Sequence, residues 1–153
     1  MGAAVRTRPL GDSPNEGAAE VSTVERSALY ERGEEILSEI KSQPQSGRQR
    51  FPALAPELAD DVGRKLIEFC FGDCWGRPNS YIDLKTRRLL TIAALVAMGR
   101  ERQLRSHISG ALAQGLSREE ITESLVHLIA YCGFPAGMTA LQIANEVFAE
   151  QRS

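Results

Sequence analysis

No stretch of this 153-residue chain reads as a bilayer-spanning helix: the uncharged, mostly apolar run 89–98 is ten residues, about half of what a spanning helix needs. Basic charge is equally thin. The 18 Lys and Arg stand against 20 Asp and Glu, for a formal net charge of -2, and no window gathers the positive stripe that phosphate neutralisation requires, which argues against nucleic acid as a partner. Residues 1–20 have no apolar core of signal-peptide type, and Arg6 spoils the myristoylation pattern that Met1 and Gly2 begin, so a cytoplasmic protein is expected. The three cysteines, Cys70, Cys74 and Cys132, form no C-x-x-C pair and have no His or Asp cluster beside them. No metal site is expected, and the thiols read as small buried side chains.

What is present is helical punctuation. Residues 1–20, rich in Gly, Ala, Pro, Ser and Glu without apolar period, are expected to be a flexible tail, and 21–151 a single domain. Apolar positions at helical spacing predict a helix over 21–41, a loop over 42–50, and a helix over 52–71 that Gly72 ends. The stretch 72–82 then reads as a loop holding Trp75. Asp83 is placed to cap a helix over 84–98 that is nearly all apolar beyond Arg88 and is therefore expected to be central. A further helix runs from about Glu101 to Gly115. Ser117 and Glu120 form a capping box that starts the next at Arg118, and Pro135 suits the first turn of a last helix after Gly133. No segment alternates with period two, so the fold class is all-α, a bundle of about six helices.

Three groups of residues invite chemistry. His107 lies on the apolar stripe of Leu104, Ile108, Ala111 and Leu112, where an imidazole is either a satisfied core group or a proton-transfer group between helices. On the helix from Arg118, the residues Glu120, Glu123, Ser124, His127 and Tyr131 share a polar stripe, with Glu123 and His127 an i,i+4 carboxylate–imidazole pair. Around the glycine-broken loop, Trp75, Arg77, Tyr81, Arg87 and Arg88 bring an aromatic wall and guanidinium groups suited to a carboxylate. Arg87 and Arg88 are equally readable as exposed charges near a helix start.

The run Phe71, Gly72, Asp73, Cys74, Trp75, Gly76, Arg77, Pro78, followed by Thr86 and Arg87, the apolar stretch to Gly99, His107 with Ala111, Leu112 and Gly115, Glu119 to Ile121 with Glu123, and finally Tyr131 to Ala136, resembles the γ-carboxymuconolactone decarboxylase family over roughly residues 65–149. The wider superfamily includes alkylhydroperoxidase D-like proteins with a C-x-x-C-x-x-x-H motif. Laid on His107, that motif puts Arg100 and Gln103 where the cysteines would stand, so the thiol branch is not matched. Arg88 also replaces the glutamate usual there.

The resemblance implies an all-helical, cofactor-free carboxy-lyase that assembles as a homotrimer or homohexamer and acts on a small anionic organic substrate, a carboxylated γ-lactone. It assigns catalysis to His107, as general acid and hydrogen-bond donor, with Glu120 and Glu123 behind it, and substrate binding to Trp75, Arg77, Arg87, His127 and Tyr131. The segment 79–85 is about two residues longer than the family pattern. A cyclase or isomerase on the same scaffold and a non-catalytic helical assembly protein are the competing expectations.

Overall fold

A computed structural model describes residues 27–40, 47–78 and 80–151, all helices and connections with no strand among them. The order is α1 (Ala28–Glu39), a single turn α2 (Gly47–Arg50), α3 (Pro56–Lys65), a π-helix (Leu66–Trp75), then α4 (Leu84–Ala97), α5 (Glu101–Ala113), α6 (Arg118–Cys132) and α7 (Phe134–Glu150). The expected tail over 1–20 lies outside the described residues.

Local capping chemistry sets most boundaries. The Ser27 hydroxyl accepts from the Tyr30 amide and starts α1, the Asp83 carboxylate accepts from Thr86 at 2.7 Å and starts α4, and Ser117 and Glu120 form the reciprocal capping box of α6. Gly115 and Gly133 hold φ of +88° and +84°, the left-handed backbone that ends α5 and α6.

Between 42 and 82 the architecture departs from expectation. Residues 47–50 form a helical turn in the predicted loop, and the helix predicted from Pro52 begins at Pro56. It does not stop at Gly72 but widens into a π-helix that reaches Trp75. Gly72 is there for proximity: a Cβ at that position would lie 2.0 Å from the Leu29 carbonyl oxygen on α1, and one at Gly33 only 2.5 Å from that of Ile67. The glycines let α1 and the π-helix lie backbone to backbone. Gly72→Ala is therefore expected to force them apart and lower stability by about 1–3 kcal/mol, or more, because two main chains must move; urea denaturation of the purified variant reads this directly.

Two apolar clusters result. The larger joins α4 to α7 around Ile92, Val96, Leu104, Ile108, Ile121, Leu125, Ala144 and Val147. The smaller gathers Leu37, Ile40 and Ile67 between α1 and the π-helix, with Phe71, Trp75 and Leu84 packed against it. The helix over 84–98 is less central than its composition suggests. It buries one stripe, Arg88, Ile92 and Val96 at i, i+4 and i+8, while Leu90 and Met98 on the opposite side are exposed. Trp75 closes the π-helix at the seam between the clusters, and Leu84 reaches across it from the start of α4.

Candidate active site at the seam of two clusters

Arg88 is the only charged side chain in the buried set of the described residues, at 4% relative exposure. Its position on the stripe with Ile92 and Val96 carries it inward, and Gly110 on α5 makes room: a Cβ there would stand 3.2 Å from the guanidinium carbon. Nε donates to the Gln114 side-chain oxygen at 3.2 Å, and Nη1 donates to His107 Nδ1 at 3.0 Å. The Trp75 ring lies over the guanidinium, 4.8 Å from its carbon, and 6.5 Å from the imidazole centroid. The fourth polar feature is an absence of pairing. Nη2 is buried without a hydrogen-bond partner, and no carboxylate among the described residues forms an ion pair with Arg88.

Electrostatics then fix the state of His107. Burial, and after it the adjacent Arg88 charge, push its pKa down to about 4, while burial lowers that of Arg88 to about 10, leaving the guanidinium charged at neutral pH. A guanidinium only donates, so Nδ1 is the acceptor and the single ring proton sits on Nε2. His107 is a neutral imidazole whose one N–H, on Nε2, is a hydrogen-bond donor.

Of the residues singled out from sequence, the fold unites Trp75, His107 and Arg88, the last of which read equally as a guanidinium suited to a carboxylate and as an exposed charge near a helix start. Its signal was the stripe it shares with Ile92 and Val96. Arg77 and Arg87 line a neighbouring cleft of about 950 Å³ with Asp73, Cys74, Ser80 and Tyr81. Glu120, Glu123 and His127 are placed elsewhere, along an apolar groove of about 560 Å³ between α4 and α6. They do not join His107 on α5. The Glu120 carboxylate accepts from the Ser117 amide at 2.6 Å as part of the helix cap, Glu123 and His127 form no ion pair with each other, and the exposed Tyr131 ring lies 5.1 Å from that of His127. The side chain bonded to His107 is Arg88, which Gln114 holds in turn.

The sequence pattern of the carboxymuconolactone decarboxylase family matches residues 60–146, a span that contains Trp75, Arg88 and His107. The chain belongs to the carboxymuconolactone decarboxylase family. It is 31% identical to the 4-carboxymuconolactone decarboxylase of Acinetobacter baylyi over 121 residues, which is 79% of this chain and 87% of that one. It is 37% identical over 97 residues to an uncharacterized 15.0 kDa protein of Paracoccus denitrificans, covering 62% and 71% of the two chains. To the nitrosuccinic acid decarboxylase of Metarhizium robertsii it is 33% identical over 85 residues, 55% of this chain and 58% of the other. No helix among the described residues is long and apolar enough to cross a membrane.

In this family member the neutral imidazole has a thermodynamic signature. Between pH 6.5 and about 4, His107 takes up a proton in the unfolded chain that the folded protein refuses. The unfolded state then binds more protons, so stability falls as the pH drops through that window, by about 2–3 kcal/mol at pH 4.5 relative to pH 7. His107→Gln is expected to lose that much less than the parent over the same interval, as measured by urea denaturation at both pH values.

Proposed function

We propose that the protein is a decarboxylase of a small γ-lactone bearing a carboxylate on a ring carbon, with the Arg88–His107 pair as its electron sink. The observation that carries this reading is a buried guanidinium with one unpartnered N–H and no ion-pair partner among the described residues, beside an imidazole held neutral with its proton on Nε2. The family membership and two relatives named as decarboxylases support it.

In the reaction the bond between ring carbon and carboxylate breaks, carbon dioxide leaves, and the electron pair passes through the conjugated double bond to the lactone carbonyl oxygen. Negative charge thus departs from the carboxylate and arrives at the carbonyl oxygen. Donors aimed at the arrival point favour the transition state over the ground state, which is the condition for acceleration. Arg88 supplies a fixed positive charge and a spare N–H, and His107 supplies the Nε2–H. Trp75 covers the guanidinium and keeps water from it, strengthening both interactions. The dienolate then takes one proton on carbon from solvent. With a pKa of about 4, the imidazole is protonated in roughly one molecule in a thousand at pH 7, so its part is that of a hydrogen-bond donor and the general-acid role expected from sequence passes to water.

The purified protein mixed with 4-carboxymuconolactone is the direct test: loss of the lactone with release of one carbon dioxide per molecule is the expected result, and an unchanged lactone at high enzyme concentration would refute the reading.

The protein acts as a homo-oligomer in this proposal. Leu90 and Met98 on α4, Phe69 on the π-helix, and Phe134 and Met138 on α7 are all more than half exposed, a set of large apolar side chains that assembly would cover. Light scattering is expected to give a multiple of the 16.8 kDa chain mass, and a monomer at micromolar concentration would contradict this part.

A further inference from the structure

Two of the three thiols do not sit as the small buried side chains that the sequence suggests: Cys74 is exposed and Cys70 half-buried, and both are free. They lie four residues apart on the π-helix, on either side of Gly72. Gly72 faces the Leu29 carbonyl oxygen on α1, and residues two positions away on a helix point to nearly the opposite side, so Cys70 and Cys74 share the face turned from α1. Neither belongs to the apolar cluster between α1 and the π-helix. Cys132 is remote from them, packed on the larger cluster from α6. The wide helical turn brings the pair together. The Gly76 amide donates to the Phe71 carbonyl at 2.7 Å, an i to i+5 bond of the π type, and with bond lengths fixed a wider turn rises less per residue. Four residues of an α-helix rise about 6 Å, within the roughly 4.4–6.8 Å between Cα atoms that a disulfide spans but toward its long end. The π-turn shortens that separation. Burial, and after it the neighbouring Cys74, push the Cys70 thiol up, so the two sulfurs are within electrostatic reach of each other.

We propose that Cys74 and Cys70 are a reversible thiol–disulfide site, oxidised by small-molecule disulfides, whose closure displaces Trp75 from the Arg88–His107 pair. Cys74, the exposed thiol, attacks as its thiolate one sulfur of the incoming disulfide: a new S–S bond forms, the old one breaks, and one small thiolate leaves and takes up a proton. Cys70, deprotonated in its turn, attacks Cys74 Sγ, forming the internal bond and expelling the second small thiolate. The protein has then lost two protons and two electrons, and the small disulfide has gained them as two thiols. An excess of the small thiol drives the same steps backward. Trp75 follows Cys74 directly, and its ring covers the Arg88 guanidinium. A bond that draws the Cys74 main chain toward Cys70 moves the root of Trp75 with it, so the ring leaves its seat and water reaches Arg88 and His107. The site is a property of the π-helix and does not depend on the decarboxylase reading.

The test uses oxidised glutathione as the probe and mass spectrometry of the intact and digested protein. Trypsin leaves Cys70 and Cys74 on one peptide, 66–85, because the Arg77–Pro78 bond resists cleavage, and leaves Cys132 on another. The expected product is peptide 66–85 lighter by two hydrogens, restored by dithiothreitol. Cys70→Ser is expected to stop at a single glutathione on Cys74. At equilibrium in glutathione buffers, the internal bond is expected to be favoured roughly tenfold or more in the native protein over the same chain in urea, because the fold presents the two sulfurs to each other. A mixed disulfide as the end product in the parent, or a native equilibrium no more favourable than that in urea, would overturn the thiol site. The effect on Trp75 is read at the His107 imidazole by proton NMR, with His127→Gln to assign the two histidines. Its titration midpoint is expected to move on oxidation from about 4 toward the ordinary 6.5; an unmoved midpoint would overturn the displacement of Trp75.

Discussion

Replacing Arg88 with Met is expected to reduce kcat/KM for 4-carboxymuconolactone by roughly 10²–10⁴-fold while leaving the fold intact. The size follows from the loss of a buried charged hydrogen-bond donor, about 3–5 kcal/mol. Intact folding follows from the same burial: the guanidinium has no carboxylate partner to strand, and an apolar side chain of similar length fills the space under Trp75 and over Gly110. Exchanging a buried charge for a well-packed apolar group is often neutral or stabilising; here the gain is offset by the donors withdrawn from Gln114 and His107. Lysine is not expected to rescue activity, because one ammonium cannot reach Gln114, His107 and the substrate in the planar geometry of the fork. Steady-state kinetics and a thermal melt on the same preparation check both halves, and a variant with parental kcat/KM would remove Arg88 from the reaction.

His107→Ala is expected to lower kcat by about 10²–10³-fold, the usual effect of deleting one donor from an oxyanion-binding site, with KM little altered. The pH dependence tells a donor from an acid. A general acid with a pKa of about 4 would lose activity tenfold for each pH step above that value, whereas a neutral donor gives a rate independent of its own titration from about pH 5 upward. A flat profile between pH 5.5 and 7.5, lost in amplitude but not in shape when His107 is replaced, is the expected result. A parental profile that falls steadily across that range and flattens in the variant would restore the proton-transfer role.

The parts of the molecule legible in the sequence are those set by short-range chemistry. Asp83, the Ser117–Glu120 box and the Gly133–Pro135 step each act on amides or backbone angles within a few residues, so their meaning does not depend on the rest of the fold. Gly72 misleads because its reason is Leu29, 43 positions earlier: a glycine required for a close approach is indistinguishable, within its own segment, from one that ends a helix. Arg88 misleads in the same way. Its charge and its place near a helix start suggest solvent, and only the arrival of Trp75 from one cluster and Gly110 with His107 from the other encloses it. For the α6 stripe, spacing correctly put Glu120, Glu123 and His127 on one face, but spacing does not say which helix stands opposite, and that helix is α4 and not α5. Residue identity put His107 in one group and Trp75 with Arg88 in another, and the third dimension brought the three together.

The seam that holds these three side chains also joins two units of unequal cohesion. The larger cluster interlocks four helices, while the smaller rests on three buried residues, Leu37, Ile40 and Ile67, and a fringe of half-buried ones. Local opening begins where the fewest apolar contacts must be broken, which places the α1 and π-helix arm below the bundle in the ladder of amide exchange. Because Trp75 belongs to that arm, an opening of it would wet Arg88 and let His107 protonate at ordinary acidity, so acid is expected to speed amide exchange in α1 and the π-helix before it does so in α4 to α7.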